Sequence, residues 1–382
     1  MMQRSTNQPL RVLHILTLSG NNGEYGGPIR VAREICKALD AEKFTTSIFT
    51  GALKDSIPNP EEGVDEAYVK VRPLVASLPF SSLWSLKLFG SLWSQIHKAD
   101  VVHIHFARDL IPILAAIICK FQGKTYVVQT HGMVVPDNRR SAILIDKYFA
   151  LPALNSSRTN FVLSAKEESD MKPLGLSCPV VLLPNGIIVS DSLPVRSNQN
   201  SNKIIFCSRL HERKRPGLFL DLAKYSYFKY PELSFEIYGP DGGELPAIQN
   251  RLRNEKELER TAYCGPVPPN EVTYKLAEAD LMVLPSENEQ FPMVVLESLS
   301  VGTSVLIMPS CGLAPLLSKS IPESVSTSED LAGIIEVFER NYQARFMAEN
   351  RVKVQSFCRE NFEMESVIAT LASTYQTVTK NA

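Results

Sequence analysis

LMVLPSENEQFPMVVLESLSVGTSVLI, Leu281 to Ile307, decides the fold of this chain. Its first four residues are apolar without alternation, as a strand covered on both faces requires. Pro292 opens a helical run to Ser300, a position where proline's fixed φ and missing N–H are tolerated. Gly302 supplies the stop, and the apolar run resumes over Thr303–Ile307. Strand, helix and strand in this order make a parallel crossover unit. The loop Pro285–Phe291 then lies at the carboxyl end of the first strand, where such sheets bind ligands.

The same alternation extends upstream. Ile204–Ser208 and Ser234–Tyr238 read as strands, Pro216–Tyr225 and Pro269–Glu278 as helices. Before them, SDSLPVRSNQNSNK (Ser190–Lys203) is a linker by composition. Earlier still, Arg11–Leu18, Thr46–Thr50, Val101–Phe106, Thr125–Thr130, Asn160–Ser164 and Val180–Leu183 are strand candidates. Pro28–Leu39 reads as a helix with Ala32, Ile35, Cys36 and Leu39 on one face. The pattern predicts an α/β protein of two Rossmann-like, doubly wound domains, residues 1–192 and 193–362. A C-terminal helix in 363–382 is expected to pack back on the first. A chain of 382 residues is long enough for two cores.

Composition narrows the class. The 40 Lys+Arg nearly cancel 41 Asp+Glu, so the basic excess of a nucleic-acid coat is missing. Seven cysteines without a C-x-x-C pair read as reduced thiols in a reducing compartment. The longest apolar run, Leu110–Cys119, contains Pro112 and falls short of the roughly 18 residues of a spanning helix. Val12–Leu18 is short for a secretory leader. A cytoplasmic protein is expected, with at most a peripheral contact on the inner face of the plasma membrane. Both tryptophans, Trp84 and Trp93, fall in Leu78–Ile96 together with Leu83, Leu86, Leu88, Phe89 and Leu92. Read as one helix, this stretch suits a core or a membrane interface.

Three segments carry candidate chemistry. In GNNGEYGGP (Gly20–Pro28) the glycines let backbone approach a ligand, and a helix start directs free N–H groups there. The spacing is not G-x-G-x-x-G and no acid ends the second strand, so the NAD fingerprint is not met. In SRLHERKRP (Ser208–Pro216), Arg209 and Lys214 could clamp a diphosphate, each charge-assisted bond contributing about 1.5–3 kcal/mol. A solvated basic surface would look the same. In the opening stretch, Glu289 lies in the loop and Glu297 on the helix. Carboxylates and first-turn N–H groups near Pro292–Val294 suit hydroxyls or phosphate. Among the histidines, His131 stands at a strand end, placed for chemistry. His103 and His105 read as core residues more readily than as metal ligands. No Asp-x-Asp occurs, which removes one common carboxylate pair for holding a divalent metal.

Taken in chain order, Gly26-Gly27, Leu183-Pro184-Asn185-Gly186, Arg209 with Lys214, Tyr238-Gly239, and Glu289-x7-Glu297 with Phe291 inside it resemble glycosyltransferase family 4. These are retaining enzymes of GT-B architecture, with two Rossmann-like domains facing a cleft. The resemblance covers nearly the whole chain. It implies transfer of a sugar from a nucleoside-diphosphate sugar to a glycan or lipid-linked acceptor, with retention and without metal, as in bacterial surface-polysaccharide or glycolipid assembly. Gly26 and Gly27 would lie against the donor diphosphate and His131 beside the reacting sugar. Arg209 and Lys214 would neutralise the leaving group. Glu289 and the backbone of Phe291, Pro292 and Met293 would hold the sugar, and Glu297 the ribose. Tyr238, Gly239 and Val267 would border the base. Three positions depart from the family pattern: Pro292 and Arg215 where glycine is common, and Ile188 where aspartate is common. A sugar-nucleotide epimerase of the same fold, or a silent nucleotide-sugar-binding protein, is the alternative.

Overall fold

The computed structural model describes residues 8–20, 27–54, 56–57, 61–75, 80–195, 202–340 and 348–380. The chain divides into two compact units, 1–186 with 364–382, and 187–363.

The first unit contains β1 (Leu10–Leu18), α1 (Gly27–Ala38), β2 (Phe44–Ala52), β3 (Asp65–Lys70), β4 (Arg72–Pro73) and β5 (Leu83–Trp84). Then come α2 (Leu88–Lys98), β6 (Val101–His105), α3 (Leu110–Gln122), β7 (Thr125–Gln129) and α4 (Arg140–Ile145). A π-helical turn, Asp146–Ala150, leads to α5 (Leu151–Asn155), β8 (Asn160–Val162), α6 (Ala165–Met171) and β9 (Val180–Leu182). Seven parallel strands pair in the order β3-β2-β1-β6-β7-β8-β9. Every residue of β6 and β7 is buried, the polar His103, His105, Thr125 and Gln129 included.

The second unit contains β10 (Lys203–Cys207), α7 (Pro216–Lys229), β11 (Ser234–Tyr238), α8 (Leu245–Asn254), β12 (Thr261–Gly265) and α9 (Pro269–Ala277). The opening stretch follows as β13 (Leu281–Leu284), α10 (Met293–Ser300) and β14 (Ser304–Ile307). After these stand α11 (Ala314–Ser320), α12 (Leu331–Arg340) and α13 (Ala348–Phe362). Its five strands are parallel in the order β12-β11-β10-β13-β14. Gly302 stops α10 at φ 75°, and a Cβ there would stand 2.5 Å from Leu193 Cδ2 and 2.9 Å from Arg351 O. The helix can end there only on glycine.

The final helix α14 (Met364–Lys380) belongs to the first unit. Its Tyr375 is fully buried, bonded to His103 Nδ1 at 2.7 Å and edge-on to Phe44.

Two expectations shift. The division falls after Gly186 instead of after 192, because residues 187–194 are held by α13. Ile187 bridges to Glu363, Gln355 and Arg359 donate to Ser190 O, and Arg351 donates to Pro194 O. Of the stretch Leu78–Ile96, residues 78–79 lie outside the described residues, and residues 80–96 are not one helix. Leu83 and Trp84 form a short strand against Arg72 and Pro73, and the helix begins only at Leu88.

Candidate active site

Strand order reverses in the second sheet between β10 and β13, the topological switch point at which loops from neighbouring strands part and leave a ligand crevice. The loop after β10 carries Arg209 and Lys214, and the loop after β13 carries Glu289. A backbone bond ties the two loops, Glu287 N donating to Arg213 O at 2.9 Å, and Gly312 N, in the loop after β14, donates to Glu289 O at 2.8 Å. Lys214 Nζ donates directly to Glu289 Oε2, with Arg213 Nη1 at 3.3 Å from the same oxygen. Burial lowers the Lys214 pKa, and the Glu289 charge works against that.

Arg215 adopts φ 47° and ψ 53°, the left-handed region that glycine enters freely. Its side chain offsets the strain by donating to Pro285 O at 2.6 Å, Glu329 O at 2.8 Å and Glu329 Oε2 at 3.1 Å. The cation therefore braces the two loops instead of facing a ligand.

Pro292 is the N-cap of α10, so the helix starts one residue later than its sequence suggests. Phe291 turns its ring into the core, edge-on to Phe362 at 5.9 Å. Only its backbone is then offered to a ligand, beside the first-turn N–H groups that begin at Met293. Glu297 is buried one turn on, and its charge joins burial in pushing the Cys207 thiol up to about 12. Gly239 has φ 145°, and a Cβ there would meet Ser208 O at 1.8 Å. The chains after β10 and β11 approach so closely that only glycine fits. Tyr238 is buried and donates to Glu236 Oε2 at 2.8 Å, while Val267 is half-buried beyond Gly265. Arg209 is exposed on its loop. Lys214 and Glu289 are thus brought into contact, and Tyr238, Gly239, Arg209 and Met293 stand on the same strand-end side of this sheet.

In the first unit the order reverses between β1 and β6. Gly27 is the first residue of α1, whereas Gly26 lies outside the described residues. His131 follows β7 at φ 50°. Its left-handed turn is pinned by Glu167, whose Oε1 accepts from Thr130 Oγ1 and from Gly132 N, both at 2.5 Å. Oε2 of the same carboxylate accepts from Leu163 N at 2.6 Å. Burial raises the Glu167 pKa, and these three bonds oppose the rise. Glu167 escaped the sequence reading, although Ser164-x-x-Glu167 is a capping-box spacing: Ser164 Oγ caps Glu167 N at 3.1 Å. Asp109, beside the switch point, also escaped it. Burial raises its pKa while Thr17 Oγ1 donates to it at 2.8 Å. Inward of His131 stand His105, His14 and His103, all buried.

The second site can therefore present two cations, helix N–H groups and two carboxylates at one sheet end, a set suited to a diphosphate joined to hydroxyl-bearing sugars. Comparison with known proteins agrees with that chemistry. Residues 25–191 match the family model "Glycosyltransferase Family 4", and residues 192–350 match "Glycosyl transferases group 1". The chain belongs to glycosyltransferase family 4. This glycosyltransferase is 23% identical over 325 residues to the Escherichia coli UDP-Gal:alpha-D-GlcNAc-diphosphoundecaprenol alpha-1,3-galactosyltransferase, covering 80% of each chain. It is 26% identical over 342 residues to the D-inositol 3-phosphate glycosyltransferase of Nocardioides, covering 77% of this chain and 73% of that one. Among solved structures it resembles Anabaena HepE in complex with UDP, with a TM-score of 0.76 at 15% identity, covering 96% of this chain and all of the other. The two doubly wound units are of the GT-B class. No helix among the described residues is long and apolar enough to cross a membrane.

Proposed function

We propose that this glycosyltransferase moves a sugar from a nucleoside-diphosphate sugar to a glycan or lipid-linked acceptor, with retention at the anomeric carbon and without a metal or other cofactor. The observation that carries the reading is the contact of Lys214 with Glu289 at the β10/β13 switch point. Negative charge grows on the departing diphosphate as the glycosidic bond breaks. Arg209, Lys214 and the α10 N-terminus stabilise that charge more in the transition state than in the ground state. Glu289 would release Lys214 to the phosphate and turn to the sugar hydroxyls. Glu297 would hold the ribose, Gly239 and Val267 would border the base, and His131 would meet the sugar. Retention and metal independence rest on the family resemblance and on the lack of Asp-x-Asp. A uridine donor is the first to test, since the E. coli relative uses UDP-Gal and Anabaena HepE binds UDP.

A peripheral contact with the inner membrane face is part of the proposal, with a second candidate place beside Leu78–Ile96, where Leu86, Phe89 and Trp93 are exposed. On α4 and the π-helical turn, Ile143, Leu144, Tyr148 and Phe149 are each about half exposed (48–59%), with Arg140 and Lys147 beside them. Exposed aromatic and aliphatic side chains flanked by cations fit an anionic bilayer interface. Arg108 clamps this turn to the end of β6 through Asp146, at 2.6 and 2.9 Å.

The test incubates the full chain with UDP-sugars and an undecaprenyl-diphosphate-linked acceptor and reads the product's anomeric configuration by NMR. An inverted linkage sinks retention. An isomerised sugar nucleotide formed without acceptor would replace transfer by epimerisation.

A further inference from the structure

His14 and His105, which the transferase reading does not use, continue inward from His131 as a hydrogen-bonded row. His14 Nδ1 lies 3.0 Å from His105 Nε2, and His105 Nδ1 lies 2.6 Å from His131 Nε2. The ring centres are 5.3 and 5.0 Å apart. Each separation is about one ring width more than its N···N distance, so the bonds run along the line of centres. At the inner end, His103 Nδ1 meets the Tyr375 hydroxyl at 2.7 Å.

A metal is a poor occupant for this cluster, although nitrogens of His14, His103 and His105 lie within 4.8 Å of one another. Both nitrogens of His105 are already engaged by imidazoles. The His103 and His105 rings are parallel within 6°, so their lone pairs run side by side instead of converging.

Burial lowers the pKa of all four imidazoles, so each is neutral and carries one ring proton. The row then has two polarities. In one, every N–H points inward, and His14 Nε2–H ends in the core. In the other, every N–H points outward, and His14 Nε2 is a bare lone pair. Among the described residues His14 Nε2 has no hydrogen-bond partner. A buried orphan N–H is rarer in proteins than an under-used acceptor.

We infer that His14 and His105 are positioning residues that fix the tautomer of His131, so that His131 offers Nδ1–H outward as a hydrogen-bond donor and does not act as a base. It would donate to an oxygen of bound substrate. Only that last step rests on the transferase reading.

The experiment is a long-range proton–nitrogen NMR correlation on the full chain, carrying ring-labelled histidine, at neutral pH. Wild type is expected to show His131 protonated at Nδ1 and bare at Nε2. His105→Leu should redistribute the His131 proton toward Nε2 and lower kcat about tenfold. His105→Asn, whose amide sits where Nδ1 stood, should restore both. A wild-type His131 protonated at Nε2, or a tautomer unmoved in folded His105→Leu, overturns the inference. Should His105→Leu fail to fold, the wild-type spectrum decides alone. The tautomer is read without turnover, so a chain with the expected spectrum and no transferase activity would sink the functional reading and leave this one standing.

Discussion

Lys214 and Glu289, 75 residues apart in the chain, form a direct ion pair across the two loops that flank the β10/β13 switch point. Burial depresses the lysine's pKa, and the glutamate's charge is what limits the fall. If protonated Lys214 holds the leaving diphosphate, activity should fall as pH rises through its pKa. Glu289→Gln removes the stabilising charge, so the alkaline limb of kcat/KM should move to lower pH. Lys214→Ala should cost about a hundredfold or more in kcat with the fold intact. An unchanged alkaline limb in a folded Glu289→Gln enzyme would falsify the coupling.

Arg215 tests how a departure from the family pattern is compensated. Its left-handed backbone costs about 1–2 kcal/mol for a residue with a Cβ, and its three side-chain bonds return about 0.5–1.5 kcal/mol each. Arg215→Ala keeps the strain and loses the bonds, and should destabilise by about 1.5–4.5 kcal/mol. Arg215→Gly loses the bonds and the strain together, so it should be the milder change by about 1 kcal/mol. Urea unfolding of the three proteins measures this. Alanine no worse than glycine would mean the strain is not felt.

The parts of the fold legible in the sequence are those whose burial repeats at the period of their own backbone. Leu281–Leu284 is readable to the residue because a strand buried on both faces is continuously apolar, and Ser234–Tyr238 because half-buried Ser234 and Glu236 alternate with buried Phe235 and Ile237. Asp65–Lys70 and Thr261–Gly265 pass unread because they are half-exposed edge strands, the first of them mostly polar. Of the site, residue types and order were legible. The meeting of Lys214 with Glu289 was not, because it depends on which strands become neighbours. Nor was Glu167 read, although Ser164 three residues before it announces a helix start.

Membrane contact should follow the α4 patch and not Leu78–Ile96. Ile143→Ser, Leu144→Ser and Phe149→Ser together remove much of the exposed apolar area and should abolish flotation with vesicles containing anionic lipid. Arg140→Gln with Lys147→Gln should weaken flotation by roughly 1 kcal/mol per charge and reduce its salt dependence. Phe89→Ser with Trp93→Ser is the comparison. If that pair abolishes flotation and the α4 variants keep it, the α2 face is the anchor instead.

The histidine row should also make the protein acid-sensitive. Folding lowers the His14 pKa from 6.5 to about 3. For a base whose folded pKa is depressed, the unfolded chain takes up protons first. Stability is therefore full above pH 6.5 and is lost as pH falls from there toward about 3. At pH 5 a single fully buried imidazole such as His14 should cost about 2 kcal/mol relative to pH 7. His14→Leu cannot take up that proton in either state, so its stability between pH 7 and pH 5 should fall less steeply than wild type's. Urea titrations at pH 7, 6 and 5 give both slopes. Parallel loss in the two proteins would mean that His14 is already protonated in the core, which would also remove the neutral row on which the His131 tautomer depends.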